Sequence, residues 1–185
     1  MRWRQLNYPA RSHAAKVVAR KKPFINLDQQ KPKPAEASQS GGGMSTLPKE
    51  YGGEFGGKGG VPYLCIFQPP ARLNKIIVWH RDCVDGIQLE TDLSVLPRIG
   101  GTGKHRDVQK DVIELSTDEI LLGVTVEYWQ YIDRITLHTS QRNYGPYGGQ
   151  GGRLTRTLFS PPGNRLVGFK GRHWELVDSI QLMIV

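Results

Sequence analysis

A chain of 185 residues has room for one ordinary domain and an extension. No run of about 18 apolar residues occurs in it, which excludes a membrane-spanning helix. The net charge is +8, but nine lysines and arginines in residues 1–43 face only Asp28 and Glu36, so +7 of that charge sits in those residues and +1 in all the rest. The basicity belongs to the first quarter of the chain, and no specific nucleic-acid partner is expected for the remainder.

Residues 1–22 contain no acidic side chain, and residues 14–22 allow a short helix that Pro23 would close. Lys31-Pro32-Lys33-Pro34 then reads as an extended spacer, and residues 37–43 as a flexible Ser/Gly linker. The segment lacks the apolar core of a secretory signal. It fits a solvated arm, an arm docking onto an acidic protein or membrane surface, or a serine-poor organelle transit peptide, and the compartment stays open. Residues 1–43 are thus expected to form a basic tail and linker, and residues 44–185 a single domain.

After Met44 the texture changes. Leu122, Val124, Val126 and Tyr128 alternate with Gly123, Thr125 and Glu127, as a half-buried strand requires. Ile135-Thr136-Leu137 and Ile180-Gln181-Leu182-Met183-Ile184 follow the same pattern. Such runs are punctuated by Gly, Pro and Asn clusters, among them Gln68-Pro69-Pro70 and residues 160–164. Many short strands with frequent turns predict an all-β sandwich, barrel or prism, and no segment predicts a helix. Cys65 and Cys83 lie in apolar settings without metal-ligand spacing. They are expected to be reduced and buried, with their pairing undetermined.

An internal repeat organises these strands. Val84-Asp85-Gly86-Ile87-Gln88-Leu89 returns as Ile132-Asp133-Arg134-Ile135-Thr136-Leu137 and again as Val177-Asp178-Ser179-Ile180-Gln181-Leu182, with aspartates 48 and then 45 residues apart. Three copies of one unit imply three similar pieces around a shared core. At four strands each they give about twelve short strands.

Phe55-Gly56-Gly57-Lys58-Gly59-Gly60, Tyr144-Gly145-Pro146-Tyr147-Gly148 and Gly168-Phe169-Lys170-Gly171-Arg172, the last followed by Val177-Asp178-Ser179-Ile180, occur in that order. The ordered set resembles the glycine-rich opening, central turn and closing segment of the jacalin-related lectins across residues 50–185. The resemblance implies a β-prism: three antiparallel four-stranded Greek-key sheets about a pseudo-threefold axis. It also implies a sugar pocket at one end, built from the loop matching Gly60, the loop around Tyr128-Trp129-Gln130-Tyr131, and a GxxxD loop matching Trp174, Glu175, Leu176, Val177 and Asp178.

A carboxylate in such a site makes charge-assisted hydrogen bonds to adjacent sugar hydroxyls. Glycines admit close backbone approach, and an aromatic ring covers the apolar sugar face. The expected carbohydrate-binding residues are therefore Gly60, Trp129, Gln130, Trp174, Glu175, Leu176 and Asp178. Asp82, Asp85 and Asp133 mark secondary sugar sites, although Asp at a strand start also caps turns. Trp174 stands where the family has the Gly of GxxxD, either blocking the pocket or walling it.

The implied function is non-catalytic binding of a mannose- or galactose-class sugar, with glycans or glycoproteins as partners and a homo-oligomer as a further prospect. The alternative is a prism that has lost sugar binding and serves as an assembly or interaction subunit anchored by its tail. No catalytic group, metal or cofactor is expected. Residues 100–105 imitate a phosphate loop, but Arg98 and His105 stand where it needs Gly and Ser or Thr. The five histidines show no ligand spacing, and no nucleophile elbow occurs.

Overall fold

The computed structural model describes residues 47–101 and 107–185. The expectations for the tail, for the domain start at Met44, and for residues 102–105 of the phosphate-loop mimic fall outside the described residues. Within them there are twelve strands and no helix.

Three hairpins form the centre: β3 (Leu73–His80) with β4 (Val84–Thr91), β7 (Leu121–Tyr128) with β8 (Ile132–Thr139), and β11 (Leu166–His173) with β12 (Val177–Ile184). Each is flanked by two outer strands. The first sheet runs β5-β4-β3-β6, with β5 at Ile99–Gly100 and β6 at Gln109–Glu114. The second runs β10-β7-β8-β9, with β9 at Asn143–Gly148 and β10 at Leu154–Phe159. In the third, β1-β12-β11-β2, the outer strands come from the start of the domain: β1 at Lys49–Gly56 and β2 at Val61–Ile66. All pairings are antiparallel. The third sheet is therefore the same Greek key with the chain cut at another point, as expected of a β-prism.

The repeated motifs open β4, β8 and β12, each placing its aspartate second in the strand. Their alternate apolar residues meet along the prism axis, where Ile87, Leu89, Ile135, Leu137, Ile180 and Leu182 are fully or almost fully buried. Large aliphatic side chains inside contribute roughly 1.5–3 kcal/mol each relative to exposure. Three copies of one pattern thus build one core.

Three local expectations need correction. Leu122 was expected to face inward, but a register shift between Leu121 and Gly123 buries Leu121 and leaves Leu122 part-exposed. A bulge inserts one residue and so moves the side chains beyond it to the other face. β12, patterned as half-buried, is buried on both faces. Its outer Ser179 donates to Glu54, and Gln181 donates to the Gly52 carbonyl at 3.1 Å, so β1 covers its polar side. The Tyr144–Gly148 segment is not a turn but edge strand β9, with a register shift between Ile135 and Leu137 where Gly145 and Pro146 pass. Proline has no N–H to donate, and an edge strand tolerates that.

Candidate functional site at one end of the prism

The three central hairpins turn at the same end of the prism, through Arg81-Asp82-Cys83, Trp129-Gln130-Tyr131 and Trp174-Glu175-Leu176. Each tip is closed by one backbone hydrogen bond: Arg81 N–H to Cys83 at 2.9 Å, Trp129 to Tyr131 at 3.2 Å, Trp174 to Leu176 at 3.1 Å. Each following aspartate accepts, on its carbonyl, the N–H of a glycine from a neighbouring loop. Gly57 donates to Asp178 at 2.8 Å, Gly149 to Asp133 at 3.0 Å and Gly101 to Asp85 at 3.0 Å. The threefold repeat therefore extends from strands to loop hydrogen bonds.

The copies differ at their carboxylates. Asp178 is 3% exposed, and its Oδ2 has no hydrogen-bond partner. Burial pushes its carboxyl above the ordinary value, while His173, the Trp174 amide and Arg172 draw it partly back. Against it lies the loop between β1 and β2. Gly60 has φ +62°, and a Cβ there would come within 2.5 Å of Asp178 Oδ2. A Cβ on Gly57 would stand 2.0 Å from the Gln130 carbonyl oxygen. Any side chain at either place would collide with the carboxylate or with the neighbouring tip. Arg172 fixes this loop from behind, its Nε donating to the Gly59 carbonyl at 2.7 Å and its Nη2 to that of Gly60 at 2.8 Å.

In front of Asp178 opens a pocket of about 860 Å³. Gly60, Trp129, Gln130, Trp174, Glu175, Leu176 and Asp178, the seven residues named from the sequence, all line it. Gly57, Lys58, Gly59, Arg81 and Tyr131 join them. Arg81 was missed because it belongs to a different repeat and reaches the pocket only through the prism geometry. Arg172 was missed as a functional side chain, although its motif was read. Trp174 is 68% exposed and Trp129 48%, so both indoles stand on the rim. The Arg153 guanidinium lies 4.7 Å over the Trp129 ring, a cation–π contact. Tyr128, named with its loop, packs inward against Phe55 instead.

The three secondary residues lie away from this pocket. Asp85 is 1% exposed and bound by Arg81, whose Nη2 and Nε reach Oδ1 at 3.1 and 3.2 Å. Asp82 is exposed at its tip. Asp133 is 8% exposed, with Cys83 Sγ 3.9 Å from Oδ1 and with Oδ2 unpartnered. Both cysteines are free thiols. Cys65 is buried, but Cys83 is only half-buried because it sits in a hairpin tip rather than a strand. Among the described residues no group of three or more His, Cys, Asp or Glu stands close enough to hold a metal ion.

Three four-stranded Greek keys about one axis, with glycine loops set against carboxylates at one end, define a β-prism domain. The model of the Jacalin-like lectin domain family matches residues 52–183, and the chain belongs to that family. The jacalin-related lectin Calsepa of Calystegia sepium is 34% identical over 90 residues, which cover 44% of this chain and 56% of that protein. The crystal structure of Calystegia sepium agglutinin superposes with a TM-score of 0.63 at 25% identity, over 76% of this chain and 99% of that one. A mannose-specific jacalin-related lectin from Morus nigra, solved with mannose, gives a TM-score of 0.62 at 24% identity, over 80% of this chain and 99% of the other.

Proposed function

We propose that the pocket before Asp178 binds a carbohydrate without chemical conversion, and that the sugar is of the mannose class. The observation that carries this is the buried carboxylate of Asp178, which lines the pocket beside the glycine loop and leaves Oδ2 without a protein partner. A buried carboxylate oxygen left unsatisfied is costly unless a ligand supplies the donor. Two adjacent sugar hydroxyls are suited to it. The rim indoles offer apolar faces for the C–H surface of a pyranose, and Lys58 and Gln130 add donors at the edge. The sugar class rests on the mannose-specific Morus nigra relative. A glycan array probed with the protein, with Asp178→Asn alongside, tests this. Mannose-class ligands that depend on Asp178 support it, and a folded protein that retains no glycan refutes it.

A second reading, an interaction subunit without sugar binding, is favoured by Trp174 at the place of the family's glycine. Trp174→Gly distinguishes the two. If the indole is a stacking wall, the change weakens binding; if it obstructs the pocket, the change creates or improves binding.

A further inference from the structure

Two tryptophans occupy equivalent places in the repeat, Trp129 after Tyr128 and Trp174 after His173, with 45 residues between the two positions. Their backbones are held alike, the Trp129 N–H by the Tyr131 carbonyl at 3.2 Å and the Trp174 N–H by that of Leu176 at 3.1 Å. Their indoles are held differently. We infer that Arg153, which is not among the residues lining the pocket, is a positioning residue that fixes the Trp129 indole as a preformed wall of the site. The inference rests on the sugar-binding reading of that pocket.

The difference comes from the residue that precedes each outer strand. β10 begins at Leu154, opposite Tyr128, and β2 begins at Val61, opposite His173. Arg153 and Gly60 therefore hold matching positions beside the two tips. Gly60 leaves no room for a side chain, since a Cβ there would stand 2.5 Å from both the His173 carbonyl oxygen and Asp178 Oδ2. At the other tip Arg153 carries one, and its guanidinium carbon lies 4.7 Å from the centre of the Trp129 ring. Among the described residues no ring or cation stacks on Trp174.

The support is itself anchored. The Arg153 N–H donates to the Tyr128 carbonyl at 3.1 Å, and Gly152 packs so closely that a Cβ there would come within 2.7 Å of the Tyr128 nitrogen. The backbone carrying the guanidinium is thus tied to the residue just before Trp129. A planar guanidinium stacks on one face of an indole and leaves the other free, and Trp129 lines the pocket. An indole held in place before the ligand arrives loses less freedom on binding than an unsupported one, and affinity gains by that difference. Arg153 and Trp129 are both exposed, which puts the gain at about threefold in affinity.

The experiment compares the whole chain as wild type, Arg153→Gln and Arg153→Lys, with thermal unfolding on each. Affinity is read by calorimetric titration with methyl α-mannoside. The indole N–H resonances are read without ligand, assigned through Trp129→Phe and Trp174→Phe. Arg153→Gln is expected to weaken binding about threefold, to shift the Trp129 resonance in the free protein and to leave that of Trp174 in place. Arg153→Lys, which keeps a cation for the ring, is expected to recover part of both effects. Wild-type affinity in Arg153→Gln overturns the inference and leaves the proposed function standing. A weakened affinity with the Trp129 resonance unmoved also overturns it, since Arg153 would then act on the ligand directly, and so does a loss that lysine leaves complete. A folded wild type that does not bind the mannoside overturns both.

Discussion

Under the proposed function, Asp178 is the residue on which binding and stability pull in opposite directions. Its raised pKa means that ionisation costs the folded state, so the carboxylate opposes folding above that value and ceases to do so once protonated. Asp178→Asn removes the buried charge and keeps an oxygen for the Trp174 amide. Unfolding temperature is therefore expected to stay level or rise, whereas a turn-capping role would cost about 1 kcal/mol. Sugar affinity is expected to fall at least tenfold, since a charged hydrogen bond contributes roughly 1.5–3 kcal/mol and about 1.4 kcal/mol is a factor of ten. Hydroxyls favour the ionised carboxylate, so affinity in the wild type should decline as pH falls through the raised pKa. An affinity that stays unchanged while the buffer is acidified through the whole carboxylate range would count against Asp178 as the acceptor.

Arg172 belongs to the same scale but acts through others. Its two hydrogen bonds turn the carbonyls of Gly59 and Gly60 toward the guanidinium, which fixes the backbone that lines the pocket. Arg172→Gln is expected to speed amide exchange across residues 57–60 even without ligand, and to weaken sugar binding roughly tenfold, ~1.4 kcal/mol. Exchange no faster than wild type would show that the loop holds itself.

Among the elements, the turn from β6 to β7 carries the most distinctive interaction away from the pocket. Glu119 is 1% exposed at the opposite end of β7 from Trp129. The Thr139 hydroxyl donates to it at 2.6 Å, the Tyr144 hydroxyl at 3.0 Å and the Ser116 N–H at 3.3 Å. It thus ties the turn to β8 and β9. Burial pushes its carboxyl up, but these hydrogen bonds and the Arg142 charge hold the net value below the ordinary one. A depressed carboxylate stabilises the fold above its unfolded pKa of about 4.3, and that contribution is lost as pH falls through the folded value. Glu119→Gln should cost about 1–3 kcal/mol at neutral pH. It should also flatten the loss of stability on acidification. Urea midpoints at pH 7 and about pH 3 measure both effects, and parallel losses in the two proteins would contradict the assignment.

At the scale of the molecule, the three sheets share one core, and the first and last strands of the domain, β1 and β12, pair in one of them. A chain beginning at Met44 is expected to fold and to keep its sugar affinity, since residues 1–43 offer few large apolar side chains to bury. Any binding by residues 1–43 should weaken steeply with salt, because +7 in 43 residues acts through screened charge. Sugar binding at Asp178 should respond far less. Unfolded material from the shortened chain would show that the division at Met44 is wrong.

The sequence by itself determined an all-β fold of three similar units, because strand alternation and a threefold repeat are local patterns that one core must satisfy at once, and the resemblance to the jacalin-related lectins turned that into a prism. The same resemblance named seven residues that meet in the pocket, by matching the ordered glycine motifs and Asp178 to the family's sugar loops. The repeat alone could not distinguish the carboxylates: Asp85, Asp133 and Asp178 share one motif and one position in their strands, and within the sequence only the resemblance set Asp178 apart. Only the tertiary structure decided among them, by placing Arg81 on Asp85 and leaving Asp133 and Asp178 with an unpartnered oxygen. The same holds for Leu122, turned aside by a bulge, and for Trp174, which stands on the rim with 68% of its surface exposed. A hydrogen bond or a steric clearance depends on atoms brought together from distant parts of the chain, and no local pattern records them.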